Sequence, residues 1–243
     1  AKNSLFMSIR MVIVLAITLY TSRVILKVLG VEDYGIYNVV GGVVALFSFI
    51  NGGMVSATQR YITFELGRGN EQQLSKVFST SIQIHALISL IVLILSETIG
   101  LWFLYERLVI PDERLNAAFW VYQCSIIVCI VNIMSVPYNA DIVAHEKMSA
   151  FAYISILQVI LKLLIVYLLY ISPWDKLIVY ATLLLIVQLF IRWIYARYCK
   201  KHFQESHYKH HIDKSLFKEM FSFAGWSFCV HLFDVVLNQF LNL

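Results

Sequence analysis

Apolar residues continue along this chain for twenty or more positions at a time, with short polar connections between the runs. A spanning helix needs roughly 20 mostly apolar residues at about 1.5 Å per residue. Six runs reach that length: Leu5 to Leu29, Tyr34 to Phe64, Val77 to Tyr105, Ala117 to Val136, Met148 to Ile171 and Leu177 to Tyr198. A seventh begins near Phe217 and is still apolar where the chain stops, at VVLNQFLNL. Lipid offers no partner to a free backbone N–H or C=O, so runs this long and evenly apolar predict helices and not barrel strands. The expected fold is an all-α polytopic membrane protein. Residues 1–198 form a six-helix lobe, 199–216 a polar linker and 217–243 the first helix of a second, incomplete lobe.

Composition agrees with that pattern. Hydrophobic residues make up 60% of the 243 positions and charged residues 14%, against about 25% charged in a soluble domain. Cys124, Cys129, Cys199 and Cys229 form no CxxC pattern and no disulfide is expected. The first run is too long for a signal-peptide core and reads as a retained helix. The start on Ala and the stop inside an apolar run suggest a piece of a longer protein.

Charge sets a predicted orientation. With the N-terminus cytoplasmic, eleven Lys and Arg flank the inner helix ends and four flank the outer ends, the bias that cytoplasmic connections carry. Trp102, Tyr105, Trp120, Tyr122, Trp174, Trp193, Tyr195 and Tyr198 lie at run borders, as an interfacial belt requires.

The second run is unusual in its small residues. Gly41, Ala45, Ser48, Gly52 and Ser56 fall on one helical face, which predicts close packing of backbones. Arg60, near the inner end of that run, reads either as a headgroup anchor or as part of a polar passage.

Four cations fall within the apolar runs: Arg10, Arg23, Arg60 and Lys162. Lys162 lies mid-run, where a charge costs at least ~3 kcal/mol unless it faces protein or water. By depth, Glu97 is its expected partner, as a structural ion pair or as a site that binds an anion or changes protonation. Arg10 and Arg23, with Thr18 and Thr21 between them, give the first helix a polar stripe. Together the four cations outline a cationic cavity for an anionic headgroup, with two snorkelling interfacial arginines as the alternative for Arg10 and Arg23.

Other polar residues carry weaker signals. His207, His210 and His211 lack Cys or paired carboxylates at ligand spacing, so no metal site is expected there. His85 and His231 are intramembrane candidates for proton relay, with hydrogen-bonded packing as the simpler reading. No HExxH, GxSxG or Walker loop is present, no catalytic residue is expected, and neither a cofactor nor a nucleic-acid partner is predicted. Asp141, His145 and Glu146 form the single polar cluster that a membrane-embedded sugar or acyl transferase would use, without a recognised catalytic spacing.

Three stretches carry a family resemblance: RVILKVLGVEDYGIYNVVGGVVALFSF, ATQRYITFELGRGN and VPYNADIVAHEKMSAFAYISILQ. With their LG-x-x-x-YG-x-Y element, and with Pro137, Tyr138 and Ala140 followed by His145, Glu146, Lys147 and Met148, they resemble the polysaccharide-biosynthesis flippases. These are the O-antigen and capsule translocases of the multidrug/oligosaccharidyl-lipid/polysaccharide (MOP) exporter superfamily. The resemblance extends over essentially the whole chain and implies two six-helix lobes around a cavity open to alternate sides, of which this chain is the N-terminal half. It also implies a cargo, an undecaprenyl-diphosphate-linked oligosaccharide crossing the bacterial cytoplasmic membrane from inner to outer leaflet. A polysaccharide polymerase and glycosyltransferases of the same pathway are the implied partners. With no nucleotide-binding loop, an ion or proton gradient is the expected drive. A cation-coupled multidrug exporter is the alternative within the superfamily.

Overall fold

The computed structural model of the chain describes residues 2–45, 49–208 and 213–241, with side chains at 6–44, 54–208, 213–227, 230 and 233. Every regular element among them is helical, as the run lengths require. In chain order these are α1 (Lys2–Ala45), α2 (Phe49–Arg68), α3 (Glu71–Leu95), α4 (Leu101–Glu106), α5 (Leu115–Ile133), α6 (Val136–Ala144), α7 (Met148–Ile171), α8 (Lys176–His202) and α9 (Lys214–Leu241). A π-helical turn, Ser96–Gly100, joins α3 to α4, and a 3-10 turn, Asp112–Arg114, leads into α5.

Helix ends fall where capping chemistry puts them. The expected connection at 30–33 shrinks to one residue: α1 is helical on both sides of Gly30, whose φ of 83° and ψ of 171° suit glycine alone. Asn70 starts α3 by accepting the Gln73 N–H at 3.1 Å, directly after Gly69 ends α2 in the left-handed region. Asp175 caps α8 through the Leu177 and Ile178 amides, and Asp213 caps α9 through those of Ser215 and Leu216. The fourth expected run, Ala117 to Val136, corresponds to α5, which stops at Ile133, and the short helix α6 starts at the run's last residue with Pro137 in its first turn. The polar linker is shorter than expected, because α8 continues to His202.

Two compact units divide the chain. The first comprises residues 1–46, 92–132 and 148–194, and the second 47–91, 133–147 and 195–243. In the first, Ile25, Val28 and Leu29 of α1 bury against Ile165, Val166 and Leu169 of α7 and Tyr180 of α8. Tyr37 meets Tyr180 edge to face, with ring centroids 5.0 Å apart. In the second, α2 packs on α6 and α9. Phe78 contacts Tyr138, Tyr61 contacts Phe223, and Thr58 and Ser81 share a buried hydrogen bond at 3.2 Å.

The outward surface is apolar. Met11, Val12, Leu15 and Leu19 on α1, and Leu164, Leu168 and Ile171 on α7, are exposed. Patches of that kind suit lipid and not water. Five segments of the described residues are long and apolar enough to cross a membrane: Phe6–Val44, Glu71–Glu106, Asp112–Ala144, Met148–Ile171 and Lys176–His202.

The expected close approach at the small-residue face is absent where it is described. A Cβ on Gly41 would meet nothing within 4 Å. Ser56 is exposed, and the side chains at 45, 48 and 52 lie outside the described residues. Among the described residues the tight glycine is Gly100, buried against the ring of Tyr122.

Candidate functional site: a cationic stripe between two helices

Within the first unit α1 and α7 run side by side in the same direction. Arg10 donates to the Ser155 hydroxyl at 3.3 Å, and farther along both helices the Tyr20 and Tyr167 hydroxyls meet at 2.9 Å. The Arg10 guanidinium also lies over the Phe151 ring, 4.9 Å from its centroid, a cation–π contact that stabilises it where water is scarce.

From Ser155 a polar row continues along α7. Ser155, Gln158 and Lys162 stand at i, i+3 and i+7, which places them on one helical face. Gln158 donates to the Gln188 carbonyl oxygen on α8 at 3.0 Å, and Gln188 donates in turn to the Asn132 side chain of α5. This amide chain ties three helices together. A hydrogen bond between membrane helices contributes about 1 kcal/mol.

Lys162 sits one turn beyond Gln158 and is half-buried. Among the described residues it has no hydrogen bond or ion pair. The expected pairing with Glu97 does not form: Glu97, in the π-helical turn, accepts from the Gln123 amide at 3.3 Å. The wider turn changes the direction in which residue 97 projects, so depth along the helix is a poor guide to its partner. Arg10 is likewise without a carboxylate, and its Nε is buried with no hydrogen-bond partner. Among the described residues the stripe thus holds two cations and no anion.

The other predicted cations lie elsewhere. Arg23, on α1, is exposed and without a hydrogen bond or ion pair among the described residues. Arg60 belongs to the second unit, where it is exposed over the Phe223 ring at 4.8 Å. His85 is buried and donates through Nδ1 to the Ser81 carbonyl at 2.7 Å, while its Nε2 has no hydrogen-bond partner. His207 donates to the Gln204 carbonyl at 3.2 Å. His210, His211 and the side chain of His231 lie outside the described residues.

Sequence reasoning missed the Gln158–Gln188–Asn132 chain. Its signal was present in α7 as a polar residue at each helical return from Ser155 to Lys162.

No protein-family model and no curated protein matches the chain. Among solved structures it is similar to a MOP superfamily transporter from Pyrococcus furiosus, for which a binding pocket of reverse polarity suggests a different function. The likeness has a TM-score of 0.70 at 14% identity and covers 99% of this chain and 55% of that one. It establishes the fold, and the chain spans about half the length of that transporter.

Proposed function

We propose that the chain is the first lobe of a transporter that moves an anionic, lipid-linked oligosaccharide of the undecaprenyl-diphosphate type across the bacterial cytoplasmic membrane. The observation that carries this reading is the pair Arg10 and Lys162 on the α1–α7 stripe, two cations within apolar helices with no carboxylate among the described residues to neutralise them. A cation in that setting is costly unless a ligand or water offsets it, and a diphosphate supplies charge-assisted hydrogen bonds to both side-chain types. Cationic drugs are disfavoured by the same stripe.

Residues 1–198 act as the moving lobe, 199–216 link it on the cytoplasmic side and 217–243 open the partner lobe. Transport proceeds by rocking one lobe against the other, driven by an ion or proton gradient. The polymerase and glycosyltransferases of surface polysaccharide synthesis supply and use the cargo.

The test is complementation by the full-length protein in cells that lack their own flippase. Surface polymer should return with the native sequence and be lost with Lys162→Gln at unchanged membrane abundance. Absence of polymer with the native sequence across several matched repeat units, despite normal insertion, would overturn the reading.

A further inference from the structure

The second unit contains a charge cluster outside that stripe. At the end of α6 the chain forms a two-bond C-cap: Glu146 N–H donates to the Val143 carbonyl and Lys147 N–H to the Ile142 carbonyl, each at 3.0 Å. Glu146 takes the left-handed conformation at φ 56° that this motif needs. The cap fixes His145 one turn beyond Asp141. From the segment after α8, Phe203 stacks on the His145 ring with centroids 4.0 Å apart and planes 7° from parallel. The same segment presents Glu205 and Ser206 to α6.

Three ligand types converge there. His145 Nε2 lies 2.5 Å from Glu205 Oε1 and 3.7 Å from Asp141 Oδ1. Ser206 donates to Asp141 Oδ2 at 2.5 Å. Asp141 Oδ1 is left with no hydrogen-bond partner, on a side chain that is 0% exposed. The donor atoms of Asp141, His145 and Glu205 all lie within 4.8 Å of one another.

Two buried carboxyl groups face one imidazole, and Lys147 alongside is exposed. Buried charges persist when they are paired or bind metal.

We infer that Asp141 Oδ1, His145 Nε2 and Glu205 Oε1 bind one divalent ion of the zinc type, clasping the end of α6 to the segment that follows α8. One imidazole with two carboxylates suits zinc, with water in the fourth position. The imidazole gives up any proton on Nε2 as the ion takes the place of the His145–Glu205 hydrogen bond. Ser206 then holds the second oxygen of Asp141, orienting the ligand from outside the coordination sphere.

The probe is Zn2+ alone, titrated into the untagged full chain in detergent and read by calorimetry. Co2+ absorption and X-ray absorption of the zinc-loaded protein report the ligands. Saturable binding of one ion is expected, with a coordination shell holding a single imidazole and no sulfur. Asp141→Asn and Glu205→Gln should each weaken binding at least about tenfold, while the triple variant His207→Ala, His210→Ala, His211→Ala should bind as the native chain does. Absence of saturable binding would overturn the assignment. So would several imidazoles in the native shell, a measurement that depends on no variant folding, or undiminished binding by Asp141→Asn.

Discussion

The Tyr122 hydroxyl donates to the Ser96 carbonyl at 2.7 Å, from α5 to the π-helical turn that carries Glu97. The same carbonyl receives the Leu101 N–H across the wider turn. Gly100 makes room for the phenol: a methyl group there would overlap the hydroxyl and stand 3.1 Å from Cζ. Tyr122→Phe should therefore cost about 1 kcal/mol, and Gly100→Ala about 1–3 kcal/mol through overpacking. In the double variant the two costs should fall short of their sum, because the phenylalanine has no hydroxyl for the methyl to displace. Thermal unfolding in detergent of the single and double variants measures this, and simple additivity would contradict it.

Arg114 joins three parts of the first unit. Its Nε donates to Asp33 Oδ1 at 2.8 Å, a second nitrogen grips the other Asp33 oxygen, and NH1 reaches Asp175 Oδ2 at 2.6 Å. Asp175 meanwhile caps α8 with its remaining oxygen. A lysine offers one ammonium and lacks the planar fork, so Arg114→Lys should lose about 1–2 kcal/mol although the charge is kept. The residues are partly shielded from solvent, so the loss should persist in high salt. Unfolding curves at two ionic strengths provide the comparison.

Lys162 and Gln188 are predicted to separate function from stability. Gln188 accepts from Gln158 and donates to Asn132, so Gln188→Leu should lower stability by about 1–2 kcal/mol. Lys162 has no such partners among the described residues, and Lys162→Gln should leave folded yield and unfolding temperature unchanged while abolishing complementation. A loss of folded yield in Lys162→Gln would make the lysine a structural residue.

Glu146 occupies a backbone conformation that L-residues adopt at a cost of roughly 1 kcal/mol. Glu146→Gly should raise stability by several tenths to about 1 kcal/mol, the strain relieved less the added freedom of the unfolded chain. Glu146→Pro should prevent the cap from forming. A destabilised glycine variant, measured by thermal unfolding, would show that the glutamate side chain outweighs its backbone strain.

Run length alone locates the long helices, because twenty apolar residues in lipid can satisfy their backbone in one way. It does not locate the breaks. Gly30 replaces an expected four-residue connection, and the short helix α6 fills most of the expected connection between the fourth and fifth runs. Cation depth picked out Arg10, Arg23, Arg60 and Lys162, of which the fold places Arg10 and Lys162 along one stripe and Arg60 in the other unit. Depth also suggested Glu97 as the partner of Lys162, and the π-helical turn removes that basis by altering the helical phase. Asp141, His145 and Glu146 were legible as neighbours in sequence. Glu146 proves exposed, and Glu205, which joins the other two, comes from a segment about sixty residues later, a contact that no local pattern encodes.

Gly30 gives the chain a corner without a loop. A Cβ there would touch nothing within 4 Å, so it is torsional geometry and not crowding that reserves the position for an achiral residue. Such a joint leaves no slack for an inserted epitope, protease site or dye, since each extra residue would rotate the following helical arm by about 100° against its neighbours. Reporters meant to map which side of the membrane each end faces therefore belong in the connection at 107–111, where the backbone is already irregular.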